Sequence, residues 1–237
     1  MTRWITCCIG FLLYGIAGAQ PQLYIGADVA YAQDYLKLQD PVGHLKKPFL
    51  DGVFYGARFR YRIDNYTYVE LGAYGKGHRE GIAFRYADFY ASGSGRKSVV
   101  IPLRFGLTLP LYRKDIYINP LVGYVVAVAN HHENLASEGS FQEPGKDKYH
   151  YTYTPQYPAR EFSLVQAGLA VDIRCLRHAF IHLSASYYAG MQKIFIQRIF
   201  YDINDGPLNP ANSYTRGNFG SIGIGISYPL NKEEHNQ

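Results

Sequence analysis

The sequence has few cysteines, and their positions leave no two cysteines to form a disulfide in the processed chain. It contains 3 Cys in 237 residues, and Cys7 and Cys8 both lie in an N-terminal segment with the pattern of a signal peptide. Removal of that segment leaves only Cys175, so no internal disulfide can form. A fold held together by disulfides, as in many small secreted scaffolds, is therefore excluded.

Charged residues are also scarce, and they are scattered along the chain. They make up 18% of the sequence against 47% hydrophobic residues, a balance that excludes a disordered chain. The 24 Lys and Arg against 19 Asp and Glu give a formal net charge of +5 with no dense basic patch. We therefore expect no nucleic-acid partner.

Long apolar runs are missing after the first twenty residues. The two most apolar stretches, residues 99–111 and 116–129, are interrupted by Pro102, Arg104 and Pro120. Both are shorter than the roughly 20 apolar residues that a membrane helix needs. If the chain enters a membrane, it must do so as a closed barrel, because only a barrel pairs every backbone group of its strands.

The first nineteen residues have the three parts of a secretory signal peptide. Arg3 supplies the positive start, residues 9–16 supply a short apolar stretch, and Ala17 and Ala19 form a small-residue cleavage site. We expect residues 1–19 to be removed and residues 20–237 to form a single domain. A retained membrane helix is the alternative, but the apolar stretch is too short for one.

Tyrosine and glycine are abundant, with 23 Tyr and 24 Gly beside 1 Trp, and this composition favours strands. In residues 53–63 the odd positions are apolar or aromatic, while the even positions include Arg58, Arg60 and Arg62. Such a period of two places all three arginines on one face of a strand. The same period predicts eight strands, at residues 23–31, 53–63, 66–75, 99–109, 116–128, 163–173, 181–187 and 222–228.

The two faces of these predicted strands differ in chemistry. Glycine, serine and charges that can pair suit the crowded interior of a small barrel, and the aliphatic rows suit lipid. The predicted polar network of the interior, the lumen, comprises Asp28, Arg58, Arg60, Arg62, Glu70, Arg104, Asp172, Arg174 and His182. The predicted lipid-facing residues are Ile25, Phe59, Leu103, Phe105, Val126, Leu169, Ile222, Ile224 and Ile226.

The connections between the strands alternate between short turns and long loops. The long ones are residues 33–52, 76–97, 130–160 and 190–216. Outer-membrane barrels alternate in this way, with short turns in the periplasm and longer loops outside. The sequence therefore predicts an all-β, eight-stranded antiparallel up-and-down transmembrane β-barrel that ends in a short polar tail, residues 231–237.

Two further segments, residues 82–90 and 193–202, also have strand-like patterns. Counting both as membrane strands gives a ten-stranded barrel, which is the alternative. We expect these segments instead to extend strands above the bilayer or to form a hairpin over the rim.

With these patterns the chain resembles the small eight-stranded outer-membrane β-barrels of Gram-negative bacteria, described as OmpA-like or porin-like. The resemblance covers nearly all of residues 20–237, and its most suggestive parts are the hairpin at residues 98–128 and the closing strand at residues 217–230. It implies export through the periplasm to the bacterial outer membrane. It also implies contact with outer-membrane lipid and with the barrel assembly machinery during insertion.

Two motifs raise the question of catalysis or metal binding. His182 and Ser184 form an H-x-S pair that resembles that of outer-membrane lipid A deacylases, but the period of two places both on the inward face, and no Glu occurs between Glu161 and Glu233 to serve as the third member. His131, His132 and Glu133 have metal-binding side chains, but adjacent histidines in an extended segment point in opposite directions. We expect no enzymatic activity, no metal and no cofactor.

Two features allow a binding function. Tyr149, Tyr151, Tyr153 and Tyr157 lie in the third long loop, and tyrosine gives a large contact area at low entropic cost, so we identify this loop as a candidate extracellular binding site for a ligand or an envelope protein. The arginine row at residues 58, 60 and 62 either lines an anion-selective passage or pairs with acidic residues as a plug. We favour the plug.

The expected function is that of a non-enzymatic outer-membrane barrel, either a structural envelope component or a protein whose surface loops bind or adhere. The alternative is a narrow anion-preferring pore or a barrel that binds a small solute. A soluble barrel with inverted faces is a third class, and the alternating loop lengths argue against it.

Overall fold

The computed structural model of the chain describes residues 22–87, 90–93, 95–112, 115–130, 136–142, 147–176 and 179–230. The predicted signal peptide, the polar tail and the segment from His131 to Glu133 lie outside these ranges. Every helix or strand assigned in the described residues is a β-strand. Among these residues there is no helix with the length and apolar character needed to cross a membrane.

The strands follow one another with only short interruptions. In chain order within the described ranges they are β1 (Gln22–Asp34), β2 (Lys37–Gln39), β3 (Leu45–Lys46), β4 (Leu50–Arg62), β5 (Thr67–Gly77), β6 (Glu80–Phe84), β7 (Tyr90–Gly93), β8 (Lys97–Leu107), β9 (Leu109–Tyr112), β10 (Ile116–Ala129), β11 (Ser137–Gln142), β12 (Lys148–Gln156), β13 (Glu161–Leu176), β14 (Ala179–Gly190), β15 (Phe195–Ile203), β16 (Asn209–Thr215) and β17 (Phe219–Pro229).

Eight of these strands, β1, β4, β5, β8, β10, β13, β14 and β17, form a closed antiparallel barrel in chain order. The barrel closes where β1 pairs with β17, from Tyr24 opposite Pro229 to Asp34 opposite Phe219. Strand β9 continues β8 along β10 after Thr108. The structure confirms the predicted eight-stranded up-and-down barrel, and within the described ranges no further strand enters it to make ten.

The barrel strands alternate between inward and outward side chains, most regularly in β8. In β8, Val100 and Arg104 are buried inside the barrel, whereas Val99, Ile101 and Leu103 are exposed on its outer wall. This is the direct consequence of the two-residue period of a strand whose neighbours close into a ring.

The long connections fold into strands of their own, among them the hairpin of β6 and β7, which agrees with one of the two expectations for residues 82–90. They form a five-stranded sheet in the order β11-β12-β15-β16-β2 and a three-stranded sheet in the order β3-β6-β7. We call these two sheets the cap, the barrel end that carries them the cap end, and the opposite end the turn end. The segments that suggested a ten-stranded barrel lie here, as β6, β7 and β15.

The two cap sheets share a hydrophobic core. Phe84 of the three-stranded sheet is fully buried, and its ring centroid lies 4.7 Å from that of Tyr149 and 5.8 Å from that of Tyr201 in the five-stranded sheet. The buried members of this cap core are Leu45, Ile82, Phe84, Ala87, Tyr149, Ile199, Tyr201 and Ala211. The cap is therefore a packed structure with its own core.

A second hydrophobic cluster fills the cap-end half of the lumen. Inward-facing aromatic rings stack there, with centroids 4.6 Å apart for Phe54 and Tyr74 and 4.0 Å apart for Tyr188 and Phe219. Val125 and Leu164, which are fully buried, pack in the same cluster. The predicted polar network thus occupies only part of the lumen, because large apolar side chains also fill a narrow barrel.

The cap core yields a first prediction. Replacing Phe84 by Ala removes the ring between the two sheets, and we expect a cost of about 3–5 kcal/mol to the local stability of the cap. Limited proteolysis of the folded protein measures this, because cleavage follows local opening. Phe200→Ala is the matched control, since Phe200 is 42% exposed on the opposite face of the five-stranded sheet. Equal cleavage rates for both variants would contradict the assigned core.

Candidate functional site

Strand register brings a set of charged side chains together in the turn-end half of the lumen. Arg60 on β4 lies directly opposite Glu70 on β5, and Glu70 lies directly opposite Arg104 on β8. On the other side of the barrel, Asp172 on β13 lies opposite His182 on β14. Each of these residues occupies an inward position of its strand, so the backbone alone places them in one layer.

Glu70 is the centre of this layer. Its carboxylate accepts hydrogen bonds from Arg60 Nε at 2.9 Å and from Arg104 Nη1 at 2.6 Å. Arg58 Nε lies 3.7 Å from the same carboxylate. The Glu70 side chain is 1% exposed, so these contacts replace nearly all of its hydration.

Two further carboxylates complete the network. Asp172 accepts from Arg60 Nη1 at 2.6 Å and from Asn119 Nδ2 at 2.9 Å, and its other oxygen lies 2.5 Å from His182 Nδ1. Asp28 pairs with Arg58 and accepts a hydrogen bond of 2.9 Å from the Tyr74 hydroxyl.

The buried charges of this network balance. The cations are Arg58, Arg60 and Arg104, and the anions are Asp28, Glu70 and Asp172. Buried charges are tolerated only when they are paired and hydrogen-bonded, and here each cation contacts at least one anion. The arrangement is that of arginines and carboxylates paired in equal number.

Inward glycines provide the space for these large side chains. A Cβ atom on Gly26 would lie 2.9 Å from Arg58 Nε, and one on Gly56 would lie 2.7 Å from the Tyr74 ring. The lumen of eight strands is just wide enough for side chains, so a large group on one strand requires a very small one on its neighbour.

Arg62 and Arg174 were predicted to join the network, and the structure places them elsewhere. Arg62 donates to the backbone carbonyls of Asp64 and Asn65 in the adjacent turn. Arg174 Nε lies 3.9 Å from the exposed Asp115. Both occupy inward positions, but they lie so near the turn end that they reach the rim instead of the buried carboxylates.

His182 and Ser184 both lie on the inward side of β14, and His182 is a member of the charge network through Asp172. The cavity that the two residues share has a volume of about 20 Å³. That space suits about one water molecule, whereas small-molecule pockets have roughly 300 Å³ or more. The geometry gives this pair no room for a substrate.

The nine residues predicted to face lipid all lie exposed on the outer wall of the barrel. Ile224, for example, is 52% exposed and Leu103 is 54% exposed. Among the described residues of the barrel strands, charged side chains at outward positions occur only at the cap end, at Asp51, Lys97 and Glu161. Between these positions and the turn end the outer wall carries no charge in the part of the chain that the structure describes.

The tyrosines proposed as a binding loop lie on and next to a cap strand. Tyr149 is buried in the cap core and is not available as a binding surface, which corrects the prediction for that residue. Tyr151 and Tyr153 stack with ring centroids 6.4 Å apart and are partly buried against the same core. Tyr157 donates a hydrogen bond to Glu80 at the base of the cap. Their common role in the structure is packing.

A second buried charge cluster, absent from the predictions, lies beneath the cap. Lys76 Nζ donates to Asp34 Oδ1 at 2.6 Å, and His78 Nε2 lies 2.9 Å from Ser98 Oγ. Burial and the nearby cation Lys76 hold the pKa of His78 well below 6.5, so the ring is neutral at neutral pH. Asp34 and Lys76 occupy inward positions of β1 and β5. Extending the two-residue period of these strands beyond their predicted ends would have placed both side chains in the lumen.

The central position of Glu70 yields a second prediction. Glu70→Gln removes the anion that contacts Arg60 and Arg104 and leaves buried positive charge uncompensated, so we expect destabilisation by about 3–5 kcal/mol. Reversible urea unfolding of the protein in detergent micelles measures it. Asp51→Asn is the matched control, because Asp51 pairs with Arg79 at 3.3 Å on the exposed surface and should contribute less than about 1 kcal/mol. Similar effects of the two changes would contradict the role given to Glu70.

No protein-family model matches this sequence, and no curated protein matches it either. Solved structures do match. The outer membrane protein OprG from Pseudomonas aeruginosa is 12% identical with a TM-score of 0.55, and the match covers 92% of this chain and 100% of OprG.

Two further structures are similar at lower scores. The N-terminal β-barrel domain of Pseudomonas aeruginosa OprF is 8% identical with a TM-score of 0.42, over 89% of this chain and 100% of that domain. The Neisserial surface protein NspA is 12% identical with a TM-score of 0.43, over 87% of this chain and 96% of NspA. The likeness to OprG concerns the fold: this chain has the architecture of a small eight-stranded outer-membrane β-barrel.

Proposed function

We propose that the protein is an integral β-barrel of the bacterial outer membrane, without enzymatic activity, whose cap is presented outside the cell for binding or for envelope structure. One observation carries this proposal. The outer wall of the barrel is an uncharged belt of exposed aliphatic and aromatic side chains, while the buried charges lie inside. A soluble monomer rarely exposes so large a contiguous apolar surface.

The height of the belt is consistent with a bilayer. On β4 it runs from Val53 to Tyr61, which corresponds to roughly 20 Å along the barrel axis at the usual rise and tilt of barrel strands. The apolar band of outer-membrane barrels is roughly 25 Å tall. Exposed tyrosines at the cap end of the wall, Tyr31, Tyr55, Tyr124 and Tyr187, correspond to an interfacial aromatic girdle.

The ends of the barrel support one orientation. Short turns in outer-membrane barrels face the periplasm and long connections face outward, so the cap would lie outside the cell. Export by a cleaved signal peptide and insertion by the barrel assembly machinery belong to the same proposal.

Binding by the cap is supported by the exposed face of its five-stranded sheet. Arg198, Phe200 and Asn212 lie on this face, away from the cap core, and all three are exposed. An exposed aromatic ring beside polar groups suits recognition of a ligand or an envelope protein. This face replaces the tyrosine loop as the proposed contact surface.

The narrow pore remains the second candidate, and the inward arginines at residues 58, 60 and 104 favour it. Two features support the plugged barrel instead. Each of these arginines contacts a carboxylate, and the aromatic cluster around Phe54 and Tyr188 fills the lumen beyond them.

Heat-modifiability in the cell envelope tests the proposal as a whole. Outer membranes are extracted from expressing cells, and boiled and unboiled samples are compared on a denaturing gel. We expect a band in the outer-membrane fraction that shifts on boiling, because an inserted barrel resists detergent until it is heated. A soluble periplasmic band without a shift would reject membrane insertion.

The belt yields a third prediction. Arg in place of Ile224, near mid-strand on the outer wall, should destabilise the inserted barrel by about 2–4 kcal/mol, because the charge must enter the bilayer centre. Unfolding by urea in lipid vesicles measures it. Phe200→Arg is the control, since Phe200 is similarly exposed but lies in the cap. Equal stability of the two variants would reject the assigned lipid face.

Conductance in planar bilayers yields a fourth prediction and separates the two candidates. The plugged barrel should give no steady openings, because the lumen holds both a charge network and an aromatic cluster. A pore would instead give anion-selective openings that disappear in Arg60→Ala. Openings of that kind would replace the plug with the passage.

A further inference from the structure

A small pocket lies in the lumen at the turn end, beyond the charge network. It has a volume of about 30 Å³. Its walls come from six strands and the β8–β9 junction, and they include Arg60, Arg62, Thr108, Asp172, Arg174 and Ser227. Space of this size accommodates a small polyatomic group and no larger solute.

The pocket is positively charged. Three of its lining residues are arginines, and Asp172 is the only acid among them. Both oxygens of Asp172 are occupied, one by His182 and the other by Arg60 and Asn119. The positive charge of Arg62 and Arg174 is therefore not compensated from within the pocket.

Buried hydrogen-bond donors of two arginines in this pocket lack acceptors among the described residues. Arg60 uses Nε and Nη1 on Glu70 and Asp172, but its buried Nη2 has no hydrogen-bond partner. The Arg60 side chain is only 9% exposed, so solvent does not replace the missing acceptor. Nε of Arg174 is buried and also lacks a hydrogen-bond partner, since Asp115 at 3.9 Å is too distant for one.

The third arginine makes its hydrogen bonds with neutral groups. Arg62 donates to the carbonyl oxygens of Asp64 and Asn65 and to Gln22 Oε1, and among the described residues no carboxylate accepts a hydrogen bond from it. Aromatic rings of the pocket fix the guanidinium groups. Arg62 lies 5.9 Å from the Tyr117 ring centroid, and Arg174 lies 5.4 Å from that of Phe180. Guanidinium groups held in this way are prearranged for a planar or tetrahedral oxyanion.

We propose that this pocket binds a small oxyanion of the phosphate class, with Arg60 Nη2, Arg62 and Arg174 as donors and the hydroxyls of Thr108 and Ser227 beside them. Phosphate oxygens supply the acceptors that the arginines lack and compensate the charge of the pocket. The proposed site does not rest on the proposed function of the cap, because all of its donors lie at the turn end of the lumen. The anion comes either from solution or from the headgroup of a lipid at this end of the barrel.

Isothermal titration of the folded protein with inorganic phosphate tests the site. The protein is kept in octyl glucoside, because phosphocholine detergents would compete for the pocket. We expect saturable binding that weakens about tenfold or more in Arg174→Gln and in Arg62→Gln, because each removes charged hydrogen bonds to the anion. Both side chains lie at the partly exposed rim, and the heat shift on a gel verifies that each variant is folded.

Arg79→Gln is the matched control. Arg79 is an exposed arginine near the cap end, and its loss changes the net charge equally without touching the pocket. We expect unchanged affinity in this variant. Absence of saturable binding, or equal weakening in Arg79→Gln, would overturn the proposal, since the second result indicates attraction to net charge only.

Competition distinguishes the two sources of the anion. Dihexanoyl phosphatidylglycerol, which is soluble below its micelle concentration, is titrated against the phosphate-loaded protein. If the phospholipid binds the pocket more tightly than inorganic phosphate does, the source is a lipid headgroup. If it binds more weakly, the source is a free anion. Either result supports an anion site in the pocket, provided that Arg174→Gln weakens the binding of both phosphate and the phospholipid.

Discussion

The narrow width of an eight-stranded lumen is the constraint on which the rest of the structure depends. Every second side chain of each strand enters a space that side chains alone must fill. Arginine and tyrosine on one strand therefore face glycine on the next, as Arg58 does with Gly26. A charge buried in this space needs a partner within hydrogen-bonding distance, and Glu70 accepts from both Arg60 and Arg104.

The lumen solves this filling problem in two ways along its axis. The turn-end half uses paired charges, and the cap-end half uses stacked rings such as Tyr188 and Phe219. The cap adds to the apolar packing of the cap-end half, because Ile194 and Phe195, where β15 begins, belong to the hydrophobic cluster of the lumen. Buried polar contacts, among them the pair of Lys76 with Asp34, lie at this junction. Barrel and cap are thus one packed body, and a passage through the lumen would have to disrupt both halves.

The sequence predicted the barrel well because a period of two over eight or more residues is a local signal. The inward phase placed Arg60, Glu70 and Arg104 in one predicted network, but it did not predict that Arg62 reaches the rim, because phase determines the direction of a side chain and not its depth in the lumen. Lys76 and Asp34 were missed since the predicted strands ended at residues 75 and 31, short of their observed ends. The strand character of residues 82–90 and 193–202 was visible in the sequence, but the sheet order of the cap was not, because β12 and β15 pair only after the barrel brings distant connections together.

The packing of the lumen determines which face of each barrel strand points inward. A soluble barrel of the same strands would turn the aliphatic rows inward and the arginines outward. That inversion would place the rows containing Leu103 and Ile224 in the lumen, where the glycines that now accommodate Arg58 and Tyr74 would no longer be needed. It would also separate Glu70 from its buried partners. Because the inward glycines match the inward arginines in register, the interior alone determines which face points inward, and the apolar outer wall follows from it.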